Sequence, residues 1–156
     1  MRQFWNIPSL PVFSLATYSK PISHPTSVNM NICTFVNKVS IVPKRYSVAV
    51  YHNTKTLNNL DENPNSVLQL LCENQINLVR TLGKKSGWDY DKSKFLIDRK
   101  LLIDWKGLPV LSGAIAYAYL KAIDKMNAGD HTIYLFDVLH FTKSDRKDYL
   151  TIHHIY

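Results

Sequence analysis

The sequence predicts a mainly β protein, built as an antiparallel barrel with a few short peripheral helices. Runs rich in Val, Ile, Thr, Tyr and Phe recur along the chain, and such runs are typical of strands. Short connections join successive runs, as they do in antiparallel hairpins. Two short segments with helical spacing lie between the runs. Strands joined in this way favour a barrel with helices at its periphery.

The composition fits one domain. The chain has 156 residues, of which 46% are apolar, enough for a core. We expect a single domain over residues 1–156, with residues 1–11 as a lead-in segment held by Pro8 and Pro11. The chain shows no internal repeat and is not rich in Gly and Pro, so neither a repeat array nor disorder is favoured.

The N-terminal half is predicted to contain four strands and one helix. Two prolines and several Ser, Thr and Asn residues make residues 19–29 a loop. Pro43 ends a β-rich run, and the short connection that follows it predicts a hairpin. A helix over residues 57–62 would have Thr54 or Thr56 as its N-cap, since a threonine hydroxyl can accept from the first turn. The four predicted strands cover residues 12–18, 30–42, 45–51 and 66–71.

The C-terminal half is predicted to contain a second helix and further strands. Ile76, Val79 and Leu82 are spaced by three within residues 73–82, and Gly83 is expected to end that helix. The other predicted elements are a polar loop or short helix (84–94), a short strand (101–105), a turn (107–111), a long strand (132–142) and a final short strand or tail (149–156).

The segment over residues 113–126 is ambiguous. One face of a helix would be formed by Ile115, Tyr119, Ala122, Ile123 and Met126. Ile115, Tyr117 and Tyr119 also alternate as residues in a strand do. Propensity favours a helix, because Ala and Leu are strong helix formers. The Gly-Asp turn that follows leads directly to another strand and suits an antiparallel hairpin equally well.

The charge distribution argues against a nucleic-acid-binding surface. Lys and Arg total 19 against 12 acidic residues, which gives a formal net charge of +7. The positive residues are scattered in runs of no more than two, so most are expected on a solvated surface, with a few serving an anionic ligand. A basic barrel that binds nucleic acid through Tyr46, Phe95 and Trp105 is the alternative from another class, and it predicts a steep salt dependence.

The cysteines and the hydropathy pattern indicate a cytoplasmic protein. Cys33 and Cys72 are the only cysteines, too far apart for a disulfide framework or a Cys-based metal site, and they fit a reducing compartment. No apolar segment reaches the roughly 18 residues of a membrane span, and the N-terminus lacks a signal-peptide pattern. No spacing of His, Asp or Glu resembles a metal site.

Two segments carry groups suited to binding a ligand. Gly129 makes a tight turn, and Asp130 and His131 follow it at the mouth of a strand, where a sheet can aim them. The alternative is a surface turn in which Asp130 caps its own backbone. Residues 53–56 lie between a strand and a helix start, where backbone N–H groups, Thr hydroxyls and Lys55 would bind an anion. The alternative there is an N-cap beside a solvated lysine.

Five segments in order resemble the flavin reductase-like, FMN-binding split-barrel family. Each is weak alone, but their common order over about residues 15–156 makes the resemblance strong. The segments are a small polar run ending in Val-Ser-x-x-Pro (30–43), a strand with its Thr-containing loop (46–56), a strand with a Gln-containing helix (65–83), the Gly-x-Pro-x-Leu turn (107–111) and Gly-Asp-His (129–131).

The resemblance implies an antiparallel split barrel with a strand over residues 113–126. It implies FMN as cofactor, with FAD as the second candidate, and hydride transfer from NADH or NADPH to the flavin. It also implies a homodimer with flavin at or near the subunit interface, and a separate monooxygenase or another electron acceptor as partner. His131 is implied as the catalytic residue. The implied cofactor-binding residues are Ile32, Cys33, Thr34, Phe35, Val36, Asn37, Ser40, Asn53, Thr54, Lys55, Thr56 and Asp130.

Four positions depart from the family pattern. Met30 and Phe136 stand where the family often has glycine, and Cys33 and Thr34 replace an alanine and asparagine pair. These departures keep open a flavin-binding electron-transfer protein without NAD(P)H activity of its own. Without the resemblance, the strand segment over residues 32–36 is an ordinary part of a barrel, and Cys33 is expected as a small buried strand residue.

Overall fold

The computed structural model describes residues 3–4, 7–19 and 24–156. Its helices are α1 (Lys55–Glu62), α2 (Ile76–Lys84) and α3 (Lys92–Asp98), and short 3₁₀ turns cover Pro25–Ser27, Glu73–Gln75 and Ile152–His154. Its strands are β1 (Phe13–Tyr18), β2 (Val28–Cys33), β3 (Val36–Ser40), β4 (Arg45–Tyr51), β5 (Asn65–Leu70), β6 (Leu102–Trp105), β7 (Leu108–Leu111), β8 (Ala116–Ala128) and β9 (His131–Lys143).

Seven of these strands form one antiparallel sheet in the order β2-β1-β5-β8-β9-β4-β3. β2 and β3 are its two edges, yet only Thr34 and Phe35 separate them in the chain. The sheet must therefore curve until its edges approach each other, while no ladder closes it. The predicted mainly β split barrel is confirmed, and β6 and β7 form a separate hairpin.

The sheet is buried on both faces at β1 and β5, where successive residues point to opposite sides and both sides are covered. Leu15 packs inside the barrel with Val48 and Phe136. Its neighbour Ala16 belongs to a second cluster with Leu96 of α3. The helices therefore cover the outer face of the sheet on the side of β1 and β2. This arrangement leaves the strand ends and the edge strand β3 as the places where a ligand can approach.

Most predicted strands are confirmed, and two predictions need correction. The predicted run over residues 30–42 is two strands, because the chain crosses from one sheet edge to the other at Thr34 and Phe35. The predicted turn over residues 107–111 holds only at Gly107, where φ is +78°. β7 follows it at once as a fully buried strand paired with β6.

The helix predicted over residues 73–82 exists, but its predicted end is wrong. It begins as a 3₁₀ turn and continues as α2 to Lys84, so Gly83 lies inside the helix. A Cβ on Gly83 would lie 3.2 Å from Cβ and Cγ1 of Ile32. Glycine is therefore needed for the close packing of α2 on β2. The helix over residues 57–62 is confirmed with Thr54 as its N-cap.

The ambiguous segment over residues 113–126 is strand β8, as the resemblance implied. β8 pairs with β5 on one side and with β9 on the other. Two ladders thus satisfy its backbone groups, and this tertiary pairing overrides the helix propensity of its Ala and Leu residues. The polar stretch predicted over residues 84–94 does end in a helix, α3, whose N-cap Asp91 accepts from the backbone N–H of Lys94.

Some predicted segments fall outside the described residues. The lead-in prediction includes residues 1–2 and 5–6, and the loop prediction includes residues 20–23. The predicted final strand or tail forms isolated bridges from Tyr149 to Cys72 and from Thr151 to Pro11, followed by a 3₁₀ turn. Within the described parts of the chain, no helix has the length and apolarity needed to cross a bilayer.

Candidate functional site

The turn between β8 and β9 holds an acid and a histidine together. Gly129 adopts φ +84°, a conformation that side chains disfavour. The carbonyl of Asp130 accepts a 3.0 Å hydrogen bond from the backbone N–H of His52, which fixes the turn against the end of β4. Oδ1 of Asp130 lies 2.7 Å from Nδ1 of His131. This hydrogen bond is the main reason that the pKa of Asp130 lies below its ordinary value.

Two aromatic rings flank the His131 imidazole. The Phe35 ring, from the junction of β2 and β3, lies 5.3 Å away between centroids. The Tyr51 ring, at the end of β4, lies 5.2 Å away in an edge-on arrangement. Phe35 is 50% exposed and Tyr51 is 56% exposed. Exposed aromatic surface beside a partly buried imidazole suits a flat ring that carries polar atoms at its edge.

The start of α1 lies directly after this cluster in the chain. Asn53 turns the chain with φ +60°. The hydroxyl of Thr54 donates to the Tyr51 carbonyl over 2.8 Å and accepts from Leu57 N–H over 3.3 Å. No described residue accepts from the backbone N–H groups at positions 55 and 56. These unpaired donors and the positive end of the helix dipole favour an anion.

The side chains of the first turn of α1 differ in their availability. Lys55 is half-buried, and its ammonium is not held by an ion pair within the described residues. Thr56 is 1% exposed, and its hydroxyl accepts a 3.1 Å hydrogen bond from Asn29. The Thr56 hydroxyl is therefore used inside the fold, and its backbone N–H has no acceptor among the described residues.

A segment that the sequence did not single out packs against the same helix start. A Cβ on Gly87 would lie 2.5 Å from Oδ1 of Asn29 and 3.0 Å from Cβ of Lys55, so only glycine fits there. Nε1 of Trp88 donates a 3.2 Å hydrogen bond to the carbonyl of Asn53. The only sequence signal was a glycine within a polar stretch, which predicts a loop without showing which helix it covers.

Lys92 is a buried cation close to this anion-favouring helix start. Its Nζ donates to the carbonyl of Met30 over 3.0 Å and to that of Leu82 over 2.7 Å. Burial, and next the positive charge of Lys55, lower the pKa of Lys92 to about 8. No carboxylate forms an ion pair with it in the described chain. Lys55 and Lys92 form no ion pair within the described residues, and Asp91 is the nearby carboxyl, whose pKa is lowered first by hydrogen bonds and next by the charge of Lys55.

The structure brings together most, but not all, of the residues proposed from the sequence. Phe35, Asp130 and His131 form one cluster, and the segment over residues 53–56 adjoins it. Thr34, Val36 and Asn37 lie beside Phe35, where β3 is an edge strand with one row of unpaired backbone groups. Ser40 lies at the far end of β3, opposite Arg45.

The remaining proposed residues lie on β2, and only their backbone groups can contribute fully to cofactor binding. Ile32 is half-buried under Gly83. Cys33 is buried in the barrel core, and burial raises the pKa of its thiol to about 12. The thiol is therefore protonated and inert at neutral pH, as expected for a structural strand residue.

Two of the departures from the family pattern are core residues. Met30 and Phe136 are both 0% exposed. Met30 packs in the outer cluster, and Phe136 packs in the barrel interior with Tyr134. Both side chains therefore present no exposed surface to a ligand beside His131.

Comparisons with known proteins identify the fold and the family. A family model described as flavin reductase like domain matches residues 11–154. The flavin reductase component of a bacterial two-component tryptophan halogenase has a TM-score of 0.81 at 20% identity, over 96% of this chain and 89% of that chain. An FMN-binding protein from Thermus thermophilus, with bound p-hydroxybenzaldehyde, has a TM-score of 0.78 at 19% identity, over 93% and 78%.

A third similar structure is the styrene monooxygenase flavin reductase from Pseudomonas putida S12. Its TM-score is 0.76 at 17% identity, over 92% of this chain and 86% of that chain. A comparison with curated protein sequences found no significant match. At these identities the structural similarities concern the fold, whereas the family model covers nearly the whole chain. The chain therefore belongs to the flavin reductase-like domain family.

Proposed function

We propose that this chain binds FMN and catalyses hydride transfer from NADH or NADPH to flavin, with FAD as the second candidate flavin. The observation that carries this proposal is the position of His131. It lies between two exposed aromatic rings, those of Phe35 and Tyr51. The start of α1, with its unpaired N–H groups, follows closely after Tyr51 in the chain. A phosphorylated flavin has the matching parts, a flat ring and an anionic tail.

The phosphate of the flavin is assigned to the start of α1. Backbone N–H groups of Lys55 and Thr56 are free to donate, and the Lys55 ammonium adds positive charge. Lys92 lies behind them as a buried cation and strengthens the positive potential. Thr54 holds the loop in shape through its two hydrogen bonds. All of these groups donate hydrogen bonds, so they suit a deprotonated anion, which only accepts them.

The ring system is assigned to the surface formed by Phe35 and the neighbouring edge of β3. Backbone groups from Ile32 to Asn37 are offered along the junction of β2 and β3, with Ser40 farther along. Bound flavin supplies the two-electron acceptor that receives the hydride. The protein's part is to hold the two reacting rings in contact and to exclude water from them.

His131 is assigned a role at the nicotinamide and at the polar edge of the flavin. The Asp130 carboxylate accepts from Nδ1–H, so Nε2 of His131 is left as the atom that faces a ligand. From there the imidazole can orient the substrate or exchange a proton. Asp130 fixes the tautomer and the ring orientation of His131. It acts through His131 and is therefore a positioning residue.

The assembly is proposed as a cytoplasmic homodimer that passes reduced flavin to a separate acceptor. Phe35, Tyr51, Trp88 and Met126 surround the site and are each at least half exposed, an apolar rim that a second subunit would cover. Both cysteines are free, which fits a reducing compartment. One similar structure is the flavin reductase component of a two-component tryptophan halogenase and another is a styrene monooxygenase flavin reductase, and the second supports a monooxygenase as the acceptor.

The test of this function is flavin binding followed by turnover. Purified protein is titrated with FMN and with FAD, and binding is followed by quenching of flavin fluorescence. NADH or NADPH is then added, and oxidation of the nucleotide is measured. Light scattering on the same sample gives the oligomeric state. Saturable quenching with oxidation above the flavin-only rate supports the proposal. Saturable quenching without oxidation favours an electron-transfer protein, and no quenching rejects flavin binding.

A further inference from the structure

A second cleft lies at the opposite end of the barrel from His131. It has a volume of about 410 Å³ and opens between the turn after β3 and the C-terminal part of β9. β4 and β9 both run between the two ends, so Tyr51 and His131 mark one end, while Tyr46 and Val138 mark the other. Of the residues proposed for the cofactor, only Ser40 lines this cleft.

The floor of the cleft is apolar and aromatic. Leu68 and Leu70 of β5 and Val138 of β9 line it. Four aromatic side chains also line it, namely Phe13, Tyr46, Tyr117 and Phe141. A space of this size, with mainly apolar walls, lies in the range of small-molecule sites. Rings around the cleft favour an occupant that is itself flat and aromatic, because offset and edge-on ring contacts add to apolar burial.

The rim of the cleft carries positive charge only. Lys38, Lys44 and Lys143 line it, and no Asp or Glu does. None of these lysines forms an ion pair with another described residue. The nearby carboxylate of Asp137 is occupied by Arg45, at 2.8 Å. The rim therefore presents ammonium groups that have no acidic partner within the described fold.

We propose that this cleft binds an aromatic carboxylate. The aromatic body would occupy the apolar floor, and the carboxylate would pair with the rim lysines, of which Lys44 already lies over the Phe141 ring at 5.5 Å. A second copy of the chain is disfavoured as the occupant. In a two-fold contact the patch would meet itself, and the lysines of one copy would face those of the other.

The experiment uses naphthoate as the probe and naphthalenemethanol as its neutral partner. Both are titrated into the FMN-saturated chain and into the chain without flavin, and backbone amide shifts are followed by NMR. Naphthoate is expected to shift amides of residues 116–118 and 138–143 while leaving those of residues 129–131 unchanged. The alcohol is expected to bind at least tenfold more weakly, because it cannot pair with the lysines.

A charge-matched pair of variants tests the role of the rim. Lys44→Gln/Lys143→Gln is expected to weaken naphthoate binding at least tenfold. Lys100→Gln/Lys106→Gln removes the same charge from exposed positions at and near the β6–β7 hairpin and should leave binding within about twofold. Circular dichroism and thermal melting establish that each variant is folded. The flavin affinity of the native chain and of both double variants should agree, since the cleft is separate from the cofactor site.

Three results would overturn the proposal. Naphthoate shifts confined to residues near His131 would mean that it binds only at the proposed flavin site. If the acid and the alcohol bound with equal affinity, or if both double variants lost naphthoate affinity equally, the rim lysines would not recognise the carboxylate. If naphthoate does not bind and the cleft amides broaden as the protein concentration rises, a second copy is the occupant instead. Each of these outcomes leaves the flavin titration unaffected, so the proposed function stands or falls separately.

Discussion

The hydroxyl of Tyr134 donates a 2.7 Å hydrogen bond to Asp61, and this contact ties β9 to α1. Lys125 of β8 donates to the same carboxylate oxygen at 2.8 Å. Partial burial works against ionisation of Asp61, but the hydrogen bonds from Lys125 and Tyr134 together hold its pKa below the ordinary value. One carboxylate therefore fixes the hairpin that carries His131 relative to the helix that carries Lys55.

Removing the Tyr134 hydroxyl should loosen this connection. Tyr134→Phe is expected to lower the free energy of unfolding by about 1–2 kcal/mol, because a partly buried hydrogen bond to a charged acceptor is lost. Urea denaturation measures the change. Tyr119→Phe is the matched control, since its hydroxyl has no hydrogen bond to a described residue and its loss should cost under about 0.5 kcal/mol. Equal destabilisation by both variants would contradict a special role for the Asp61 contact.

Adding a methyl group at Gly87 should disturb the helix start. The new Cβ would meet Asn29 and Lys55 at distances that neither backbone nor side chain tolerates without shifting. We expect Gly87→Ala to destabilise the fold by about 1–3 kcal/mol and to weaken FMN binding. Gly107→Ala is the control, because it strains a positive-φ position in the β6–β7 turn without meeting any neighbouring atom. If Gly107→Ala weakens FMN binding as much, the effect is general and not local to α1.

The Lys55 ammonium should recognise the phosphate rather than the ring. Lys55→Met is expected to weaken FMN binding about tenfold and to leave riboflavin binding within about twofold, because riboflavin lacks the phosphate. Fluorescence quenching titrations with both flavins measure this difference. Lys106→Met, which removes a charge from the β6–β7 turn, should change neither affinity. If Lys55→Met weakened FMN binding and riboflavin binding equally, the assignment of the phosphate to the start of α1 would be wrong.

Lys92 should make stability depend on pH in a defined direction. Its folded-state pKa of about 8 lies below its ordinary value of 10.5. Between these values the unfolded chain binds more protons than the folded chain, so the Lys92 contribution to stability rises with pH. Below about pH 8 the full cost of burying the charge is present, and above about pH 10.5 it is relieved.

The measurement is urea denaturation of the native chain and of Lys92→Met across about pH 7 to 10. The stability of the native chain relative to the variant should increase over this interval. Lys84→Met, at an exposed position of α2, serves as the control and should show no such increase. A relative stability that stays constant or falls with pH would mean that Lys92 is not held as a disfavoured cation in the fold.

The sequence indicated the Asp130–His131 turn and the helix start at Thr54 because both depend on local chemistry. Glycine followed by polar residues and a β-rich run predicts a turn before a strand, and the threonines around a short helical pattern predict an N-cap at Thr54 or Thr56, of which the structure has Thr54. The long strand β9 was equally evident, since its composition is dominated by strand formers over thirteen residues.

Long-range contacts were not accessible in the same way. The Trp88 side chain reaches Asn53 across 35 positions, and Lys92 reaches Met30 across 62. Nothing in the local sequence marks either contact. The sequence predicts a helix end at Gly83 because glycine usually has that role, whereas in the fold Gly83 permits close packing on Ile32. Burial of Met30 and Phe136 likewise emerged only from the folded sheet.

The central claim is that this chain itself accelerates hydride transfer to a flavin held beside His131. The direct measurement is stopped-flow bleaching of FMN bound to the protein, without oxygen, after mixing with NADH or NADPH. We predict bleaching faster than in a protein-free FMN control, and about 100-fold slower bleaching by His131→Ala with flavin affinity retained. Bleaching no faster than the protein-free control with either nucleotide would contradict the claim.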